Sequence, residues 1–379
     1  MSSTKAALIL CCAALLALAI GLVALELVFG QWLRDADGSR LDRMNVVRDR
    51  HLVYDVRHIH GPDAAPVRYT RNRHGLRSRC EAIERMQLVT LGGSTTDQVY
   101  IDDDQTWQEV LRRQLNAAVP GLDLCVANAG VDGHTTFGHI ESLKHWLPMI
   151  PSLRPRLVLL YIGINDAAMR LNKGAFDEAK PEGDGRWLSA VKRTVKDNSA
   201  LYRVWSRWRR VDDGVPVFAA HRMIDPKEFV YSSEESSAGI DTLIEQNMAA
   251  FRLRLHTLLQ QIDRLGAKPV CVSQPSIIYK QVGERWLGLP KVFTYEGRTY
   301  NGLDYRQSLL ALNRTMAADC PAAGGYFIEL ENKPFIAADF YDGVHMSPEG
   351  ATKVGNLLAA EFQRQGIARE LVPAGASTR

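Results

Sequence analysis

No sign of charge dominates this chain. Its 379 residues carry 46 Lys+Arg against 43 Asp+Glu, a net of +3. Nothing here makes the global basic field that draws proteins onto nucleic acid, and no block of like charge reads as a tail. Cysteine is sparse, at six residues, and neither Cys-x-x-Cys nor a Cys/His zinc spacing occurs. A disulfide-stapled miniprotein is therefore excluded. The absence of Gly-Lys-Ser/Thr excludes a P-loop. Internal repeats and low-complexity tracts are missing. A mean hydropathy of −0.16 rules out a polytopic membrane protein but leaves room for a single span. What remains is ordinary globular composition, 46% hydrophobic and 23% charged, enough for one large domain or two modest ones.

The single span is at the N-terminus. After Lys5, residues 6–29 are apolar except for Glu26, about 36 Å of helix and enough to cross a bilayer with some tilt. Glu26 lies near its end, where a carboxylate reaches the headgroups. A cleaved signal peptide has a shorter core and a small-residue cleavage site, and Glu26-Leu27-Val28-Phe29-Gly30 is a poor one. Cys11 follows Leu10 and comes too early for a lipoprotein signal. A retained signal anchor is the favoured reading for residues 1–30. Arg34, Arg40, Arg43, Arg48 and Arg50 on the far flank oppose export by a positive-residue count, but a long domain translocates despite its charges. The expected location is a single-pass membrane protein with its main domain outside the cytoplasm, periplasmic if the source is bacterial.

Residues 31–84 read as a polar, Arg-rich juxtamembrane arm with little periodicity. It holds His51, His58, His60 and His74, and His58-Ile59-His60 is expected to put two imidazoles on one face of a strand. Periodicity then changes. Gln87–Leu91, Leu122–Ala127, Arg156–Ile162, Lys268–Ser273 and Tyr326–Leu330 read as buried strands. Between them lie expected helices at Asp104–Val119, Thr136–Ile150, Ile240–Leu265 and Leu303–Ala318, with a closing helix at Ser347–Gln365. Ser347 caps the closing helix, with Pro348 in its first turn. This alternation predicts an α/β fold: a three-layer, doubly wound sheet of about five parallel strands, spanning residues 85–368 with a tail at 369–379. Two insertions, 170–238 and 276–302, leave from the side where a ligand would sit. Cys125 and Cys271 lie in strand-like runs and read as buried free thiols. Cys80 and Cys320 are left to bridge in space, which spacing alone does not show.

Ligands in such sheets bind beyond the C-terminal strand ends, so the loops there carry the candidate chemistry. The first strand ends in Gly92-Gly93-Ser94-Thr95-Thr96, where a serine between small residues can present its hydroxyl beside backbone N–H groups. The second leads into Asn128-Ala129-Gly130-Val131-Asp132-Gly133-His134-Thr135. The third leads into Gly163-Ile164-Asn165-Asp166, whose asparagine amide suits a developing oxyanion. Near the C-terminus comes Asp342-Gly343-Val344-His345, a spacing that lets a carboxylate orient an imidazole.

In this order the four segments resemble the SGNH (GDSL-like) hydrolase family over residues 86–365. The resemblance implies a serine esterase without metal or organic cofactor. It assigns Ser94 as nucleophile, Asp342 and His345 as its catalytic partners, and Ser94, Gly133 and Asn165 as oxyanion donors. It departs from the family's Gly-Asp-Ser at Gly93. Asp166 reads as capping the turn after Asn165, Gly130 as assisting its turn, and His134 and His139 as loop and helix residues. Tyr69–Arg77 is similar to an Asn-x-x-Gly-x-Arg segment of larger membrane-anchored relatives, with Arg77 a further substrate candidate. Leu201, Val204, Trp205 and Trp208 follow helical spacing among arginines, a docked helix or a lid.

The expected substrate is an O-acyl, first of all O-acetyl, group on an envelope or exported carbohydrate. Acyl transfer to a sugar hydroxyl is the runner-up, a lysophospholipid or lipid ester the third. A non-catalytic, membrane-tethered assembly protein is the reading from a different class. No nucleic-acid partner is expected.

Overall fold

The computed structural model describes residues 3–30, 40–42, 44–168, 199–202, 221–223, 229–295 and 297–372. It divides into two units, one made of residues 1–43 with 180–214, the other of residues 44–179 with 215–379.

In the first unit, helix α1 (Ser3–Phe29) contains an 18-residue stretch, Cys12–Phe29, with a mean hydropathy of 2.6 and none of it buried. Among the described residues it is the one helix long and apolar enough to cross a membrane. Glu26 has a protein partner: its carboxylate accepts from Ser199 Oγ at 2.6 Å and from the Ala200 and Leu201 N–H groups at 2.9 and 3.0 Å. It thus satisfies the first N–H groups of a helical turn, as an N-cap does. Val204, Trp205 and Trp208 lie outside the described residues.

The second unit is built on runs of β-branched and leucine residues too apolar to face water. Five strands, β1 (Met86–Gly92), β2 (Cys125–Asn128), β3 (Leu157–Tyr161), β4 (Lys268–Val272) and β5 (Tyr326–Ile328), pair in parallel in the order β5-β4-β3-β1-β2. β2 begins later than Leu122, because Leu122 and Leu124 pack into the core without joining the ladder.

Helices α2 (Trp107–Ala118) and α3 (Thr136–His145) follow β1 and β2; α4 (Ile240–Arg264) and α5 (Gly302–Ala322) flank β4; α6 (Pro348–Arg364) closes the domain. Leu157, Leu159 and Tyr161 of β3 join Trp107, Leu111 and Leu115 of α2 and Val354, Leu358 and Phe362 of α6 in one core. Helix α4 packs on α3 and α5. The helix expected to reach Ile150 stops at His145 and continues as a 3₁₀ turn at Leu147–Met149 where Pro148 enters. The caps are local sequence effects: Thr106 accepts from the Glu109 N–H, Ser347 from that of Gly350, and Asn301 with Asp304 forms a capping box.

Residues 44–84, most of the expected juxtamembrane arm, lie in this same unit. The arm is an antiparallel hairpin, Arg50–Tyr54 against Val67–Arg71. His58 and His60 lie in a helical turn, Arg57–His60, instead of a strand, and His60 Nε2 donates to the Tyr100 carbonyl at 2.8 Å. The cysteine reading is also corrected. Cys125 and Cys271 are paired, as Cys80–Cys125 and Cys271–Cys320. Strand burial made them look like inert thiols, but each abuts a cysteine from a neighbouring segment.

Candidate active site

The strand order reverses direction between β1 and β3, and loops leaving on opposite sides open a crevice there. Ser94 leaves β1 and Asn165 leaves β3 at this point. Ser94 opens a short helical turn, Ser94–Asp97, after Gly93.

His345 and Asp342 arrive from the loop before α6. Ser94 Oγ lies 2.7 Å from His345 Nε2, and His345 Nδ1 lies 2.7 Å from Asp342 Oδ2. The other Asp342 oxygen accepts from the Val344 and His345 N–H groups at 2.9 and 2.8 Å. Asp342 is fully buried and His345 nearly so. The i, i+3 spacing suffices because the intervening turn folds back on its own carboxylate. A carboxylate so held fixes the imidazole tautomer, with Nδ1 protonated and Nε2 free to accept from the serine.

Asn165 Nδ2 donates to the His134 carbonyl at 2.9 Å, which joins the β3 loop to the Gly133–His134 turn. Gly133 there takes φ +75°. Gly93 explains its own departure from aspartate. A Cβ at that position would lie 2.9 Å from Asn165 Nδ2 and 3.1 Å from the His134 carbonyl oxygen. The amide is held on the carbonyl and has little freedom to retreat. Gly130 is more confined: a Cβ there would come within 2.3 Å of the Asp97 nitrogen, so the second loop lies directly on the Ser94–Asp97 turn.

Behind that turn are two buried guanidinium groups. Arg71 pairs with Asp97 and donates to the carbonyls of Gly75, Asn128 and Gly130 at 2.9, 3.0 and 2.8 Å. Arg77 pairs with Asp103 at 2.7 Å and donates to the carbonyls of Asp97 and Gln98 at 2.8 Å and of Ile101 at 2.6 Å. Arg77 is 3% exposed and its donors go to the Asp103 carboxylate and to backbone carbonyls, so its candidacy for substrate binding is withdrawn. The Asn-x-x-Gly-x-Arg segment is a backbone brace. Asn72 Oδ1 accepts from the His74 and Leu76 N–H groups, and the Arg77 backbone pairs with Asn128. Asp166 is buried and accepts from the Thr136 N–H and hydroxyl, at 3.2 and 2.6 Å. It therefore fixes the start of α3. His134 donates to the Met44 carbonyl at 2.8 Å, and burial pushes its pKa down to about 4; burial also holds His139 well below the ordinary value.

Two participants, His221 and Tyr341, carried no sequence signal. His221, from the first insertion, places its ring 4.2 Å from that of His345. Its Nδ1 lies 2.9 Å from the Tyr341 hydroxyl and its Nε2 3.6 Å from Asp132 Oδ1. Tyr341 stacks nearly parallel to His345, with centroids 5.5 Å apart and planes 8° apart. Burial alone would lower the His221 pKa; the Asp132 carboxylate outweighs it and raises the value. Asp132 responds in kind: burial raises its pKa, and His221 brings the net shift below the ordinary range. Ligand-type atoms of His221, Asp342 and His345 lie within 4.8 Å of one another. They are engaged with Tyr341, with each other and with Ser94, an arrangement suited to holding and moving a proton. Thr95 is fixed by a hydrogen bond from its hydroxyl to Gln274 Oε1 at 2.7 Å, a contact that spans the sheet.

The sequence of residues 90–353 matches the model of the GDSL-like lipase/acylhydrolase family. The match spans well over half of the chain, so the chain belongs to that family and is an ester-hydrolysing enzyme of it. No curated protein matches the chain. Among solved structures, a mutant of an acetyl-xylooligosaccharide esterase from Geobacillus stearothermophilus is similar at 14% identity and a TM-score of 0.39, covering 77% of this chain and 96% of that one. An aryl esterase from M. smegmatis is similar at 15% identity and 0.39, covering 74% and 99%.

Proposed function

We propose that the chain is a serine esterase that removes O-acyl groups, first of all O-acetyl groups, from an envelope or exported carbohydrate. The observation that carries the catalytic reading is the continuous hydrogen-bond chain Asp342–His345–Ser94, with both links at 2.7 Å. Ser94 Oγ attacks the ester carbonyl while its proton passes to His345 Nε2. Asp342 stabilises the imidazolium that forms. His345 then returns the proton to the departing alcohol, leaving an acyl-Ser94 ester. Water deprotonated by His345 attacks that ester, and the acid leaves. The Ser94 and Gly133 N–H groups and the second Asn165 N–H hold the negative oxygen of each tetrahedral intermediate.

The carbohydrate reading is supported by the apolar helix α1, which would tether the enzyme to a membrane. The Cys80–Cys125 and Cys271–Cys320 bridges favour an oxidising, extracytoplasmic compartment. The test is release of acid from p-nitrophenyl acetate, from longer-chain esters and from acetylated xylan. Ser94→Ala is expected to lower turnover by about 10⁴-fold or more and to abolish labelling by a fluorophosphonate. Wild-type turnover in this variant would overturn the nucleophile assignment. Preference for long acyl chains would overturn the carbohydrate reading, and acylated sugar without free acid would identify a transferase.

A further inference from the structure

Among the described residues of the first insertion, His221 is the one that makes contact with the imidazole beside the serine. Its backbone takes φ +45°, a left-handed conformation that a non-glycine residue holds only when its surroundings enforce it. Those surroundings are specific. The Tyr341 hydroxyl engages Nδ1, Asp132 faces Nε2, and the Tyr100 ring meets the imidazole at 5.5 Å. Two residues on, the Met223 N–H donates to the His58 carbonyl at 3.2 Å, which ties this piece of the insertion to the hairpin region. The contacts of His221 link the loop bearing Gly133, through Asp132, to the loop bearing Asp342 and His345, through Tyr341. Nδ1 is hydrogen-bonded to Tyr341 and Nε2 faces the Asp132 carboxylate at 3.6 Å.

We propose that His221 is a positioning residue, which holds the His345 ring and supplies, with Asp132, the charge environment in which His345 takes the proton of Ser94. This rests on the reading of His345 as the base. The groups that face His221 are Asp132 from the β2 loop, Tyr341, Asp342 and His345 from the loop before α6, Tyr100 from the segment after the nucleophile turn, and the more distant Asp97. The protonated form of His221, which the Asp132 carboxylate favours, opposes protonation of His345. Its removal also leaves Asp132 unpaired, which favours protonation of His345. Both effects move the acid limb of the pH–rate profile upward.

The experiment uses the full-length enzyme in detergent with p-nitrophenyl acetate, comparing wild type, His221→Ala, His221→Phe and Ser94→Ala, each checked for folding by circular dichroism. His221→Ala is expected to lower kcat about tenfold with KM within about twofold, and to raise the acid limb of kcat/KM by roughly half a pH unit. His221→Phe, which keeps a ring against His345, is expected to recover most of kcat but not the limb. An acid limb that stays in place in both variants overturns the proposal, whatever happens to kcat. If only one variant folds, its limb decides. Full turnover in Ser94→Ala would instead overturn the serine mechanism on which the proposal rests.

Discussion

The two sides of Ser94 are held by different chemistry. On the buried side, Arg71 and Arg77 fasten the Ser94 turn with charge-assisted bonds to carbonyls, each guanidinium 2–3% exposed and each paired with one carboxylate. On the solvent side, His345 is held by Asp342 and flanked by the rings of His221 and Tyr341, and the paired Asp132 is half exposed. The buried side is fastened by guanidinium groups and gains its strength from low dielectric and saturation of donors. The other side gathers imidazole, carboxylate and phenol groups in contact with one another, an arrangement suited to moving a proton. Rigidity and reactivity are thus divided between two faces of one turn.

The contrast can be broken most severely from behind. Arg71→Met leaves the buried Asp97 carboxylate unpaired and three carbonyls without their donor. It is expected to cost about 3–5 kcal/mol of stability, read by urea unfolding, while variants that remain folded keep their KM. A cost under about 1 kcal/mol would show that water replaces the guanidinium. A smaller effect comes from pH. With a folded-state pKa of about 4 against an ordinary 6.5, His134 binds its proton in the unfolded chain before it does so in the folded one. Stability is therefore complete above about pH 6.5 and is lost as pH falls toward 4, by up to about 3 kcal/mol, with His139 adding in the same direction. Unfolding curves between pH 7.5 and 5 would check this, and His134→Gln should flatten the slope. The smallest effect lies at the junction of the two faces. Gly93→Ala should displace the Asn165 amide and lower kcat about tenfold, with unfolding midpoints close to wild type. An unchanged kcat would mean that the amide has room to turn.

Most of the scaffold was legible because it obeys short-range rules. Leu157–Tyr161 is apolar at every position, as a strand buried on both faces must be, and Thr106, Asn301 and Ser347 mark helix starts through their own side chains. Ser94, Asn165, Asp342 and His345 were visible because each follows a strand or precedes a helix within a few residues. The errors share one cause. Arg77 looked like a ligand for substrate because arginines in loops often are; only packing shows five of its contacts turned inward. Cys125 and Cys271 looked like inert core residues because burial does not reveal the neighbour. His58 and His60 looked like one face of a strand because a four-residue helical turn is too short to leave a period.

The sequence by itself determined the order of strands and helices, the apolar N-terminal helix and the four chemistry-bearing segments, since all of these depend on contacts within a few residues. Tertiary structure alone decided which side chains meet. It placed Ser94 against His345 across 251 residues, bound Thr95 to Gln274 across 179, paired the cysteines and brought His221 onto the imidazole. Such meetings depend on the direction in which each strand end points and on the sheet's reversal between β1 and β3, which no local pattern encodes.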